Sequence, residues 1–143
     1  MKAEGRDMAY WLIKSEPSAY SWDQLVKDKK TSWTGVRNFQ AQANLKAMKV
    51  GDRAFFYHSG EGKEIVGIAE VVKTAYPDAT DKEGRSITVD FKAIEPVKKA
   101  VTLAEIKADP KFKELKLVRQ SRLSVSPVSD EHWKLIMKMS AAK

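Results

Sequence analysis

The sequence contains no cysteine and only two histidines among its 143 residues. The lack of cysteine excludes disulfide bonds and thiol chemistry, and two histidines leave few of the usual ligands for a zinc site. No apolar run approaches the length of a membrane-spanning helix, and the N-terminus lacks the apolar segment of a signal peptide. We therefore expect no metal, no cofactor and no membrane contact. The expected location is the cytoplasm, or the nucleus if the source is eukaryotic.

Acidic residues are outnumbered, with 19 Asp and Glu against 26 Lys and Arg, which gives a formal net charge of +7. A basic balance favours polyanionic partners and gives a salt-dependent attraction to nucleic acid of any sequence. The content of charged residues, 31%, is ordinary for a globular protein. We expect a flexible polar tail over residues 1–8, a single domain over residues 9–143 and a monomer.

The most informative segment covers residues 33–59. It opens with Trp33, Thr34, Arg37 and Asn38 and continues into a helical pattern. An aromatic ring, a guanidinium and an amide at a helix start could stack on a base, hold a phosphate and bind a base edge. The alternative is structural: Trp33 belongs to the core and Asn38 caps the helix.

Apolar periodicity and cap residues predict the other elements. The predicted strands cover residues 10–14, 53–59, 65–72, 86–94 and a stretch near 123–126, and the predicted helices begin after Ser21, Asn38, Thr102 and Ser129. Gly67, inside an otherwise apolar strand, predicts a bulge or a close backbone approach. Pro96 is expected to end its strand. Trp133 is expected to lie in the core.

The strand over residues 53–59 is expected to bury the face with Ala54 and Phe56, while Tyr57 presents a ring and a hydroxyl near the strand end. His58 and Ser59 point to opposite faces of a strand, so a Ser–His catalytic pair is not favoured. A structural or hydrogen-bonding role fits His58 better.

A second cluster of polar residues precedes the last predicted strand. Arg119, Gln120 and Arg122 lie in the run LVRQSRLSVSPV. Arginine can form two hydrogen bonds to a phosphate or stack on a base, and glutamine can bind a base edge. The alternative is that an arginine pairs with a carboxylate and fixes a loop.

Five motifs carry a resemblance to a known family: WTGVRNFQAQANL, GDRAFFYHS, VGIAEVV, YPD and LVRQSRLSVSPV. In this order and from Tyr10 to about Met139 the chain resembles the EVE domain of the PUA-like superfamily. The resemblance implies an α+β fold, a mixed β-barrel of five to six strands with short flanking helices. It also implies a pocket for a modified nucleobase, as in the related YTH and SRA domains.

The resemblance and the residue chemistry together define the expected site. The expected base-binding residues are Ser15, Trp22, Trp33, Thr34, Asn38, Tyr57, His58 and Ser59. The expected phosphate and rim residues are Lys14, Arg37, Arg119, Gln120 and Arg122. Trp22 is placed there by the resemblance, since its position at a helix start fits packing equally well.

The expected function is non-catalytic recognition of DNA or RNA that carries a modified base, such as methylated or hydroxymethylated cytosine. Two alternatives stay open: an RNA-binding module that serves tRNA or rRNA modification, and an enzyme acting on a modified nucleotide. No nuclease or motor segment accompanies the domain in this sequence, so a partner effector protein is expected to act on the bound nucleic acid, unless occlusion is sufficient.

Overall fold

The computed structural model describes residues 8–60 and 62–143, so the predicted tail lies outside the described residues except for Met8. The strands are β1 Tyr10–Ser15, β2 Lys30–Ser32, β3 Arg53–His58, β4 Glu64–Pro77, β5 Ile87–Thr102 and β6 Val125–Val128. The helices are α1 Trp22–Asp28, α2 Phe39–Ala47, α3 Leu103–Lys107, α4 Lys116–Arg119 and α5 Asp130–Ala142, with a 3-10 turn at Pro110–Phe112. None of the helices in this described part of the chain is long and apolar enough to cross a membrane.

The six strands form one mixed sheet in the order β2-β5-β4-β3-β1-β6. β1 and β3 run parallel, and the other neighbours run antiparallel. The predicted α+β class and the strand number are confirmed. Closure into a barrel would require β2 to pair with β6, which lie at the two ends of this order, and it stays a prediction.

Helix α2 bridges β5 and the end strand β6, which are not neighbours in the sheet. The buried Gln42 side chain donates to Ile87 O at 3.0 Å and accepts from Ile87 N at 2.9 Å, which ties α2 to β5. On the other side, Asn44 donates to Val125 O at 2.7 Å, which ties α2 to β6. The loop before α2 is thereby held between two strands that are far apart in sequence.

The sheet buries both of its faces. Phe56 and Phe91 pack under α1 and α2 in one cluster, and Phe55 packs under α5 in the other. Trp133 lies in the second core as expected, with ring centroids 4.2 Å from Tyr10 and 3.8 Å from Phe55. The expected burial of Ala54 and Phe56 is confirmed, but the opposite face of β3 is buried as well, because helices cover both sides of the sheet.

Two strands are longer than the sequence indicates. β4 runs to Pro77, so the loop begins at Asp78, and β5 continues through Pro96 to Thr102. β2 pairs with β5 only over Asp90–Lys92, so Pro96 lies past the end of β2. No carbonyl of β2 therefore needs a hydrogen bond from position 96, and a proline, which lacks the N–H, is tolerated there. The register of β4 against β3 and against β5 shifts near Gly67, which confirms the predicted bulge.

All four predicted helix caps are present. The side chains of Ser21, Asn38, Thr102 and Ser129 each accept from a backbone N–H in the first turn. The capping box at Thr102 is complete. At Ser21 it is half formed, because the Gln24 side chain donates to Asp28 at 2.8 Å instead of returning to the helix start.

Candidate nucleic-acid interface

A cavity of about 430 Å³ opens where β1 and β2 end. Five of the predicted site residues line it: Lys14, Ser15, Trp33, Thr34 and Arg37. They come from the end of β1 and from the loop between β2 and α2. Tyr20 and Ser124 complete two of the walls.

Trp33 is both a wall of this cavity and part of the core. The backbone N–H of Trp33 donates to Val89 O at 2.8 Å, which extends the pairing of β2 with β5 by one residue. The residue is 8% exposed, and its ring meets those of Phe56 and Phe91 at nearly right angles, with centroids 5.6 and 5.7 Å away. The two interpretations of Trp33 that the sequence left open are thus compatible with each other.

The ring of Tyr20 stands at 88° to that of Trp33, with centroids 6.4 Å apart. The loop that carries Tyr20 is fixed by Ser15, whose hydroxyl donates to Tyr20 O at 2.6 Å. The Tyr20 hydroxyl donates to Asp28 at 2.8 Å. A flat molecule stacked on one of these rings would meet the other edge-on.

A buried carboxylate holds the loop between β2 and α2. Asp78 Oδ2 accepts from Gly35 N at 2.9 Å and from Arg37 Nη1 at 3.1 Å, while Oδ1 accepts from the backbone and hydroxyl of Thr80. Burial alone would raise the pKa of Asp78, but the hydrogen bonds from Thr80, Gly35 and Arg37 outweigh it and lower the pKa to about 2. Gly35 adopts φ +84°, a conformation that favours glycine at this anchored turn.

Arg37 remains available at the rim. Nη1 is engaged by Asp78, and Nη2 donates to Thr80 Oγ1 at 3.1 Å. The side chain is nevertheless 44% exposed, and a guanidinium has five N–H donors. The guanidinium of Arg37 can therefore donate to an anion at the cavity mouth while Asp78 and Thr80 hold it in place.

Lys14 stands between this cavity and a neighbouring one. Its ammonium donates to Ser121 O at 2.7 Å and lies 5.8 Å from the centroid of the Tyr57 ring. Burial lowers the pKa of Lys14. Tyr57 and Ser59, both expected in the base pocket, line the neighbouring cavity, and Tyr57 is 3% exposed.

Trp22 and His58 lie apart from the cavity. The Trp22 ring packs on Phe56 and directly over Gly67, where a Cβ would be 2.5 Å from the ring. His58 Nε2 accepts from Trp22 N at 3.0 Å, and burial lowers the pKa of His58 against smaller opposing effects of Glu64 and Asp23. The hydrogen-bonding role expected for His58 matches this geometry.

Three of the remaining predicted residues, Asn38, Arg119 and Gln120, have partners within the protein. Asn38 Oδ1 accepts from Ala41 N at 2.9 Å, as the structural alternative required. Arg119 pairs with Glu114 at 2.5 Å, and Gln120 exchanges two 3.1 Å hydrogen bonds with Gln40. Asn38, Gln120 and Arg122 line a shallow cavity of about 320 Å³ beside the segment that carries Ser121.

Sequence reasoning missed Tyr20 and Asp78. Tyr20 directly precedes the cap residue Ser21 and follows the strand end that carries Ser15, so its place on the same loop was a usable signal. Asp78 belongs to the YPD motif, but its contact with Gly35 spans 43 positions and follows no local pattern. Within residues 8–60 and 62–143, no cluster of three or more His, Cys, Asp and Glu side chains is placed to bind a metal ion.

Comparison with known proteins places this geometry in a family. The model of the EVE domain matches residues 9–139. Thymocyte nuclear protein 1 of Rattus norvegicus is 33% identical, over 99% of this chain and 78% of that protein.

Solved structures agree with this match. An NMR structure of a Rhodopseudomonas palustris protein is 55% identical, with a TM-score of 0.89 and 94% of each chain covered. The crystal structure of human THYN1 protein in complex with DNA containing 5-methylcytosine is 30% identical, with a TM-score of 0.86, over 92% of this chain and 97% of that chain. An ASCH structure from Zymomonas mobilis, 15% identical with a TM-score of 0.61, shares the fold alone. The matched sequence, which spans residues 9–139, and the PUA-like α+β fold show that the chain belongs to the EVE domain family.

Proposed function

We propose that this protein binds DNA carrying a modified base, without catalysis, and that the base enters the cavity beside Trp33. The observation that carries the proposal is the position of the Trp33 ring, which forms a cavity wall between the ends of β1 and β2. The human THYN1 protein, which shares this fold, was crystallised with DNA containing 5-methylcytosine, and this supports the choice of ligand.

The cavity is large enough for a single base. Its volume of about 430 Å³ falls in the range of small-molecule sites, about 300–1,000 Å³. A base inside a duplex cannot reach such a cavity, so the nucleotide must rotate out of the stack or come from a single strand. Stacking on an aromatic ring contributes about 1–3 kcal/mol per base, and Trp33 or Tyr20 supplies that ring.

Recognition of the modification needs more than burial of one methyl group. One methyl contributes about 0.8 kcal/mol, which corresponds to a small preference. The rest must come from shape or from a hydrogen bond that a wrong base leaves unmade. The hydroxyl of Ser15 donates to Tyr20 O, so its lone pairs can still accept from a base, and the exposed Thr34 offers a second hydroxyl.

The charge of the molecule supports a nucleic-acid ligand over a free nucleoside. A net charge of +7 attracts a polyanion, and Lys14 and Arg37 stand at the cavity itself. Phosphate contacts of this kind make the affinity fall as salt rises. Binding should therefore combine a salt-dependent contribution with a salt-independent preference for the modified base.

A binding panel tests the proposal. Single- and double-stranded DNA and RNA oligonucleotides with cytosine, 5-methylcytosine, 5-hydroxymethylcytosine or N6-methyladenine are titrated at two salt concentrations. The variants are Trp33→Phe, Tyr20→Ala and the control Trp133→Phe. The control is matched, because Trp133 is 7% exposed and lies in the other core.

The expected result is a preference for a modified DNA base that falls roughly tenfold in Tyr20→Ala, in line with the loss of one stacking contact. It should fall by a smaller factor in Trp33→Phe, because the smaller phenylalanine ring stacks over less area. Trp133→Phe should lower the melting temperature and keep the preference. Binding that depends on salt alone, or equally affected by both tryptophan variants, would refute the proposal. A stronger preference for RNA would favour the RNA-binding alternative over the proposal. Chemical change of the oligonucleotide would show that the protein is an enzyme acting on a modified nucleotide.

A further inference from the structure

We infer that a second cavity, next to the first, binds the backbone phosphate that flanks the inserted nucleotide. This inference rests on the function proposed above. The second cavity has a volume of about 320 Å³ and contains three lysines, Lys14, Lys63 and Lys107. Ser59 and Ser121 add hydroxyl groups to the same walls. Neither Lys63 nor Lys107 belongs to the base cavity.

The three lysines come from separate parts of the chain. Lys14 lies near the end of β1, Lys63 precedes β4, and Lys107 is the last residue of α3. Lys63 adopts φ +47°, which is uncommon for a residue other than glycine, and its carbonyl accepts from Leu103 N at 2.8 Å. The fold therefore holds the Lys63 backbone in a costly conformation beside α3.

Like charges gathered at one cavity repel each other unless an anion neutralises them. Across residues 8–60 and 62–143, no carboxylate lies within 4.0 Å of any of the three ammonium groups. Lys14 is also partly buried; its ammonium donates to Ser121 O and lies over the Tyr57 ring, and neither of these groups carries a negative charge. A phosphate would satisfy all three cations and accept from the serine hydroxyls as well.

The two cavities share a wall, which links the phosphate to the base. Lys14 lines both of them. Ser15 faces the first and Ser59 the second, and they are joined by a 3.0 Å hydrogen bond from Ser59 N to Ser15 O. In a nucleotide the base and its phosphates are joined through one sugar. The aromatic cavity can therefore hold the base while the neighbouring cationic cavity holds a phosphate of the same nucleotide.

The test uses the double variant Lys63→Gln/Lys107→Gln and the control Lys98→Gln/Lys138→Gln. All four lysines are exposed, and both pairs remove the same charge. Neither Lys98 nor Lys138 lines a cavity described above. Each protein is titrated with the oligonucleotide preferred in the binding panel over a series of salt concentrations.

The double variant should bind roughly tenfold more weakly at low salt, and the slope of log affinity against log salt should fall by about 1, because one phosphate is no longer neutralised. The control should show a smaller loss and keep the slope. Equal behaviour of the two double variants would overturn the inference.

Neutral methylphosphonate linkages, placed one at a time along the oligonucleotide, locate the contact. One linkage next to the modified nucleotide should weaken binding of the wild-type protein and should have little further effect on the Lys63→Gln/Lys107→Gln variant. Loss spread evenly over all linkages would contradict a defined phosphate site. The preference for the modified base is measured in the same titrations, and it should survive in the double variant. If the wild-type protein shows no preference for the modified base, the proposed function is refuted, whereas equal behaviour of the two double variants refutes only the phosphate site.

Discussion

Asp78 shows how one buried carboxylate shapes the cavity from outside it. The side chain does not line the cavity, yet it accepts from Gly35 N and Arg37 and so fixes the loop that follows Trp33. Four donors converge on its two oxygens, which explains why the ionised form is favoured despite burial. The Asp78 carboxylate is therefore one of the groups that order this loop, beside the Gln42 amide, which donates to Val36 O.

The substitution Asp78→Asn should lower the free energy of unfolding by about 1–3 kcal/mol at neutral pH, because the amide nitrogen turns a donor towards groups that are themselves donors. It should also weaken binding of the modified oligonucleotide, since Gly35 and Arg37 lose their anchor. Urea denaturation and the oligonucleotide titration measure the two effects. Glu83→Gln, in the same loop but in an exposed ion pair, should change the free energy of unfolding little.

The pH dependence follows from the same group. The folded state lowers the pKa of Asp78 from 3.8 to about 2, so its stabilising contribution is complete above pH 4 and is lost as pH falls through about 2. The difference in stability between the wild-type protein and Asp78→Asn should shrink over that range. A constant difference down to pH 2 would show that the carboxylate charge is not what stabilises the loop.

At the scale of elements, α1 is seated on the sheet at a glycine. The Trp22 ring lies over Gly67 in β4, and the ring is buried, so it cannot move aside. His58 at the end of β3 accepts from the first N–H of the helix. These two contacts place α1 and the loop before it, which carries Tyr20.

Gly67→Ala should destabilise the protein by about 1–3 kcal/mol, because the new Cβ would be 2.5 Å from the Trp22 ring and the helix must shift. Gly62→Ala is the control, since its Cβ would make an ordinary contact of 3.6 Å with His58. Thermal unfolding of both variants provides the comparison. Equal melting temperatures would mean that α1 moves at no cost and that Gly67 is not a packing constraint.

The sequence predicted the elements well where local chemistry decides them. Cap residues located four helix starts, and Gly67 predicted a close approach that the Trp22 ring then made. The strand ends were less predictable. A proline ends a strand only where a neighbouring strand requires an N–H at that position. Whether β2 extends as far as Pro96 is a property of the assembled sheet, and local sequence does not determine it.

At the scale of the whole molecule, the predicted site residues are distributed over three neighbouring cavities and the core. Lys14, Ser15, Trp33, Thr34 and Arg37 meet at one cavity, as motif and chemistry indicated. Tyr57 and Trp22 turn into the two cores, because helices cover both faces of the sheet. For β3 the sequence analysis expected one buried face, so it did not place Tyr57 in the core.

The most direct measurement of the central claim is a two-dimensional NMR titration of the ¹⁵N-labelled protein that follows the indole N–H signals of Trp11, Trp22, Trp33 and Trp133. Oligonucleotides with 5-methylcytosine and with cytosine are added in parallel. The account predicts that the Trp33 signal shifts most, that the methylated oligonucleotide produces the larger shift, and that Trp133 in the opposite core stays in place. Equal shifts with both oligonucleotides, or a Trp33 signal that does not respond while others do, would contradict insertion of the base beside Trp33.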